Sequence, residues 1–240
     1  SLNISSAVND RVQIAVDLLR QPAKDCAMDA VQLIPLREGT RRLTRRGVDA
    51  REKILAAMVR CIGRYGYAGT TVEHVMAETG LSRGSVLHQF RNRIELTVAT
   101  AEHLMQFALI DTRRRSDAIV DPFEHVASYA QIMWETQSQP EGVALIDILL
   151  ATRWDEDLAA AIRPITDWAE GEVTNELLRL ASNAGFPDPA AFVPHGWLLL
   201  ASVRGLVIEF SFSRSRPMIL AAAETMKQQH RALCQALAGR

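Results

Sequence analysis

Between Thr70 and Phe90 the chain reads TTVEHVMAETGLSRGSVLHQF, a pattern that fits two short helices joined by a tight turn. Thr71 can cap the first helix, because a hydroxyl accepts from amides that lack an intrahelical partner. Val72, Val75 and Thr79 give that helix one inward face. Gly80 stands where the helix must stop, and glycine takes a positive φ there without steric cost. Ser82 caps a second helix whose inward positions, Val86 and Phe90, are four apart. This is a helix-turn-helix, whose second helix is built to lie in a DNA major groove. Its outward residues are Arg83, Ser85, Leu87, His88 and Gln89. A guanidinium, a hydroxyl, an imidazole and an amide suit base edges and phosphates.

Charge is distributed to match. Residues 37–115 hold 15 Lys or Arg against 8 Asp or Glu, whereas the remainder holds 12 against 20. A basic segment around the motif, joined to an acidic remainder, is expected where one part alone meets a polyanion. With 48% hydrophobic and 23% charged residues, the composition is that of a globular protein with a real core. Cys26, Cys61 and Cys234 have no metal-ligand spacing and cannot all pair, which points to a reducing cytoplasm. No signal peptide is evident. The longest apolar stretch, WLLLASVRGLVIEFSF at 197–212, is short for a bilayer span and carries Arg204 and Glu209. It reads as a helix buried within protein, with no membrane partner.

Apolar periodicity is helical almost throughout, so the fold class is all-α. Residues 1–48 form an N-terminal extension and basic arm. Val8 to Leu19 makes one amphipathic helix, and the arginines at 37, 41, 42, 45 and 46 make a flexible arm. Arg45 and Arg46 are candidates to follow the phosphate backbone or enter a minor groove. Residues 49–96 form the three-helix DNA-binding domain, beginning with a helix over Asp49–Tyr65 that buries Ile54, Leu55, Met58, Val59 and Ile62. Residues 97–240 form a helical ligand-binding and dimerisation domain. Its helices are expected over 122–138, 141–153, 155–183, 189–214 and 216–238, after one running from Asn92 to about Arg115. Pro140, Pro187, Pro189 and Pro217 mark the breaks.

The block REKILAAMVRCIGRYGYAGTTVEHVMAETGLSRGSVLHQFRNRIEL, residues 51–96, resembles the tetracycline-repressor (TetR) family of bacterial transcription regulators. The resemblance rests on Gly66-Tyr67, Thr70-Thr71-Val72, Gly80-Leu81-Ser82, Gly84, His88, Phe90 and Leu96 in their order and spacing. It implies a homodimer on near-palindromic double-stranded DNA, and a small-molecule effector in the C-terminal domain whose binding releases the DNA. It further implies that Thr70 and Thr71 meet phosphate and that Arg83, Ser85, Leu87 and His88 face the groove. Arg93 falls where the family commonly has a phosphate-binding Lys. Three positions depart from the family pattern. Leu87 replaces a usual Tyr and Gln89 a usual aromatic. Met76 replaces a small residue where the motif helices approach.

The effector site falls among the helices after residue 100. Leu104, Phe107, Met133, Trp134, Ile148, Trp154, Trp168 and Trp197 are its candidate lining, each of which could equally fill the core. His103, His125 and His195 are candidate polar contacts. The scarcity of basic residues after 116 argues against a highly anionic ligand. Residues 197–212, apolar nearly all round, need a partner, and Leu220, Met226, Leu233 and Leu237 complete a four-helix bundle across a two-fold axis. The alternatives are a helical ligand-binding protein, an adaptor or an enzyme that does not act on DNA. The acidic triplet Asp155-Glu156-Asp157 would be the enzyme's best feature, yet it stands at a helix start, where carboxylates favour the dipole. No metal, cofactor or catalytic residue is expected, since no metal-binding, nucleophile or phosphate-loop motif is present.

Overall fold

The computed structural model describes residues 45–213 and 216–239. The expected helix at Val8–Leu19 and the arm up to residue 44 lie outside them. Ten α-helices, one 3-10 turn and no strand occur among the described residues. The first helix, α1 (Arg45–Gly69), begins four residues before Asp49, so residues 45–48 are helix and not arm. Ile54, Leu55, Met58, Val59 and Ile62 are buried along it. Gly66, at φ +69°, interrupts α1 before a last turn at 67–69. The motif follows as α2 (Val72–Thr79) and α3 (Arg83–Gln89).

α4 (Arg93–Ser116) is capped by Asn92, which accepts from Glu95 N at 2.8 Å. It runs from the motif into the body of the protein. The single helix expected over 122–138 is two, α5 (Pro122–Ala127) and α6 (Tyr129–Gln137). The break falls at Ser128, whose N–H is shared between the carbonyls of Glu124 and Val126. α7 (Pro140–Ala151) and α8 (Glu156–Asn183) lie where expected. Asp155 caps α8 by accepting from Leu158 N at 2.9 Å, so the acidic triplet serves the helix start. A 3-10 turn at Pro189–Ala191 leads into α9 (Phe192–Phe212), and α10 (Pro217–Leu237) ends the bundle.

Two apolar clusters hold these elements. The first joins α1, α2, α3 and α4 to α7 and the start of α8, with Met58, Val75, Phe90, Leu104, Ile148 and Ile162 in its centre. The second joins α5, α6 and the end of α8 to α9 and α10, around Phe123, Leu177, Phe192, Val203 and Cys234. Between the clusters, buried carboxylates tie the helices. Burial raises the pKa of Asp111, but hydrogen bonds from Arg114, Arg115 and Thr136 outweigh that and hold it at about 2. Glu176 is likewise paired with Arg113 and Arg179.

His230, on α10, is nearly inaccessible and sits 2.8 Å from the Val126 carbonyl and 2.9 Å from His195 on α9. Burial pushes its pKa down to about 4, only partly opposed by the Val126 contact. The unfolded chain therefore takes up a proton below about pH 6.5 that the folded chain refuses until about pH 4. Stability should fall as pH drops through that window. Urea titrations at pH 7.5 and 5 should show a smaller difference for His230→Gln than for the unchanged protein; equal differences would remove His230 from the pH response.

Candidate nucleic-acid interface

Local hydrogen bonds build the motif from its own sequence. Thr71 Oγ1 accepts from His74 N at 3.3 Å and starts α2. At the other end, Thr79 Oγ1 donates to the Val75 carbonyl at 2.8 Å and accepts from Leu81 N at 3.2 Å. Gly80 turns the chain at φ +69°, its N–H bonded to the Met76 carbonyl at 2.8 Å. Ser82 Oγ then accepts from Ser85 N at 3.2 Å, starting α3. Val75, Val86 and Phe90 are fully buried against α1. Met76 is half-buried against the same core. The Arg51 guanidinium covers the Phe90 ring at 4.5 Å. Arg60 Nε donates to Glu78 at 2.7 Å and stands foremost in holding that carboxyl below its usual range.

With Val86 and Phe90 inward, Arg83, Ser85, Leu87 and His88 are exposed together on α3, while Gln89 is half-buried. Arg83 Nη1 donates to Glu73 Oε1 at 2.9 Å, an exposed pair that must open before the guanidinium reaches another acceptor. Ser85 Oγ shares a hydrogen bond with Ser82 Oγ at 2.9 Å. Thr71 is exposed beside this face. Thr70 departs from the expectation of a phosphate contact: it is 1% exposed, and its hydroxyl donates to the Gly66 carbonyl. Arg45 and Arg46 form the first residues of α1.

Arg93 is also committed inward. Its guanidinium lies over the Tyr67 ring at 4.5 Å and donates to the Tyr67 carbonyl at 2.6 Å. Tyr67 N in turn donates to Asp147 Oδ2 on α7 at 2.6 Å. Arg91, which the sequence pattern does not single out, is the exposed arginine just before α4. Glu73 and Asp147 are further residues missed from sequence. The first is visible only as one charge among many, and the second lies 80 residues from its partner.

Of the eight expected effector-lining residues, seven wall neither of the two cavities described below, and Trp154 walls one of them. Leu104 and Ile148 are buried in the first cluster, with Trp168 packed on it. Met133 is buried in the second, with Trp134 and Trp197 against it. Phe107 is half-buried. Trp134 meets Phe210 edge-on at 5.7 Å, and Trp197 Nε1 donates to Thr174 at 3.4 Å. Among the histidines, His125 bonds Ser116, His195 bonds His230, and His103 is exposed. Two open cavities lie elsewhere. One of about 400 Å3 sits where the motif meets the body, walled by Tyr67, Arg93, Asp147 and Trp154, the last 85% exposed. The other, about 350 Å3, lies between α7 and α9, walled by Val143, Ile146, Leu150, Ile208 and Ser211. Asp147 and Leu150 border both.

A capped helix-turn-helix with a polar exposed second helix, carried on an all-helical body, defines a DNA-binding transcriptional regulator. The comparisons with known proteins agree. Residues 54–100 match the model for bacterial regulatory proteins of the tetR family. The HTH-type transcriptional regulator CymR of Pseudomonas putida is 24% identical over 172 residues, 71% of this chain and 84% of that protein. The HTH-type transcriptional repressor Rv1474c of Mycobacterium tuberculosis is 31% identical over 99 residues; the match covers 38% of this chain and 53% of that protein's length. A TetR-family transcriptional regulator from Cytophaga hutchinsonii shares the fold, with a TM-score of 0.65 at 14% identity, over 80% of this chain and 98% of that one. The chain is similar to the tetR family over its DNA-binding unit, residues 54–100, and the helical body shares the fold of such regulators. The protein is a transcriptional regulator and not an enzyme.

The Asp147–Tyr67 bond is the directly testable part of this geometry. Asp147→Ala leaves the Tyr67 N–H without its acceptor and should cost roughly 1–3 kcal/mol of folding stability in urea titrations. Asp147→Asn retains an acceptor oxygen and should cost clearly less. Equal losses would mean that the hydrogen bond is not what matters there.

Proposed function

We propose that the protein is a homodimeric repressor that binds a near-palindromic operator and is released by a small, mainly apolar ligand. The exposed set Arg83, Ser85, Leu87 and His88, fixed in direction by buried Val86 and Phe90, is the observation that carries this reading. Arg83 and His88 offer hydrogen bonds to base edges, and Leu87 offers an apolar contact to a thymine methyl. Thr71 and Ser85 supply hydroxyls for phosphate or base contact. Arg45 and Arg46, the first residues of α1, are proposed to follow the phosphate backbone. With Arg93 held on Tyr67, exposed Arg91 takes the main phosphate contact at the start of α4, and Arg93 positions the motif. Such a regulator works in the cytoplasm, where the DNA is.

Dimerisation is supported by what α9 and α10 leave uncovered. The Pro189–Phe212 stretch is apolar and long enough to cross a membrane, yet one side of it packs on α6, α8 and α10. Its outer side exposes Leu198, Ala201, Gly205 and Phe212, which fall on one stripe. On α10, exposed Met218, Ala222, Thr225, Gln229 and Ala232 form another. These stripes replace the set expected from sequence, because Met226 and Leu237 turn into their own core and Leu220 lies off the stripe. Two copies joined there make a four-helix bundle and set two recognition helices about 34–36 Å apart, one turn of DNA.

Release follows from linkage: a ligand that prefers a different spacing of the two motifs lowers DNA affinity by the same factor that DNA lowers its own. Selection of duplexes from a random library should enrich a palindrome with two half-sites; enrichment of nothing by the folded dimer would overturn the reading. On the selected operator, Arg83→Ala and His88→Ala should change preference among variants, whereas uniform loss would remove them from base readout. Arg91→Ala should weaken binding to all sequences and lower the salt slope by about 1. Arg93→Ala should also lower folding stability.

A further inference from the structure

Of the charged side chains around the two cavities, Asp147 alone borders both. It is half-buried on α7. Its Oδ2 accepts from Tyr67 N at 2.6 Å, while its Oδ1 makes no hydrogen bond or ion pair among the described residues. The buried carboxylates of the body are answered by arginines, Asp111 by Arg114 and Arg115, and Glu176 by Arg113 and Arg179. Asp147 has no such answer. Arg93, across the cavity of about 400 Å3, is turned to the ring and carbonyl of Tyr67 and forms no ion pair with it. A carboxylate accepts at both oxygens, so one backbone N–H leaves room for a second donor.

The cavity between α7 and α9 gives that donor its context. Val143, Ile146, Asp147 and Leu150 recur at spacings of three and four, so they share one face of α7. Ile208 and Ser211 stand in the opposite wall, on α9. The enclosed volume of about 350 Å3 suits a small organic molecule. Apart from the Asp147 carboxylate and the Ser211 hydroxyl the walls are apolar, and no basic side chain is among them. A single carboxylate in an apolar wall attracts a cation and repels an anion more strongly than it would in open water. Such walls describe a ligand with an apolar body and one positive head.

We propose that this cavity binds an amphipathic organic monocation, whose ammonium group pairs with Asp147 while its body lies against Val143, Ile146, Leu150 and Ile208. This rests on the reading of the chain as a ligand-released regulator and adds the site and the chemical class of the ligand. The ammonium and the Tyr67 N–H then share one carboxylate. Movement of that carboxylate toward the ligand loosens its bond to Tyr67, at the break in α1 where the DNA-binding unit meets the body. Ligand and operator are thereby linked through a single side chain.

Competition on the full chain tests this, with the neutral fluorescent probe N-phenyl-1-naphthylamine reporting occupancy. Octylammonium, 1-octanol and octanoate share one chain length and differ in the head group. Octylammonium should displace the probe at the lowest concentration and octanoate at the highest. Asp147→Asn keeps an acceptor for Tyr67 and loses only the charge; it should weaken octylammonium about 10-fold and leave 1-octanol unchanged. Val143→Trp, which fills the cavity, should remove probe binding. No uptake of probe by the unchanged protein, its retention by Val143→Trp, or an octylammonium advantage that survives in Asp147→Asn overturns the proposal. The last outcome would assign the preference to the general acidity of the body. Should the variants fail to fold, the order of the three competitors on the unchanged protein decides, and any order not led by octylammonium overturns the proposal. On the selected operator, octylammonium should weaken DNA binding by the unchanged protein more than by Asp147→Asn, and equal weakening overturns the route through Asp147. Absence of operator binding counts against the regulator, whereas intact operator binding without charge discrimination counts against this inference alone.

Discussion

The backbone N–H of Tyr67 follows a break in α1, and its acceptor is the Asp147 carboxylate of α7. Gly66 makes the break, since a positive φ there is open to glycine and closed to most other residues. The carbonyl of the same Tyr67 receives Arg93, and its ring lies under the Arg93 guanidinium. One residue thus gathers the end of α1, the beginning of α4 and the side of α7. Direction of the recognition helix relative to the body depends on this junction, because α2 and α3 lie on the chain between Tyr67 and Arg93. Both cavities border Asp147, so an occupant of either would touch the residue that holds the junction.

How far the sequence foretells this arrangement depends on the range of the interactions. Capping is local, and the roles of Thr71, Gly80, Ser82, Asn92 and Asp155 follow from residue type and the onset of apolar spacing. Burial on α1 and in the motif is equally legible, since spacing by three and four marks one face of a helix. Helix ends at prolines fall within a few residues of expectation. The break at Ser128 does not, because it arises from a shared backbone hydrogen bond with no distinctive side chain.

The candidate site is legible only in part. Exposure of Arg83, Ser85, Leu87 and His88 follows once Val86 and Phe90 point inward. The inward commitments of Thr70 and Arg93 do not follow, because each is decided by a carbonyl freed at the break in α1. Large apolar residues of the body were expected around a pocket, yet size and hydrophobicity suit a packed core equally well. Met133, Leu104 and Ile148 are such core residues. Arg204 is conspicuous in sequence as a charge in an apolar run, but only packing reveals that its Nε is buried without a hydrogen-bond partner.

The first apolar cluster crosses from the motif into the body without a seam, Phe90 and Met58 sharing it with Ile148 and Ile162. A recognition unit cut from the chain after α4 would therefore carry an uncovered face where α7 and the start of α8 had been. Exchanging recognition units between relatives to rewire which promoter answers which signal would succeed only if that covering surface travelled with them or was matched in the host. In this architecture the address label and the receiver share one piece of hydrophobic mortar, and neither is a free-standing part.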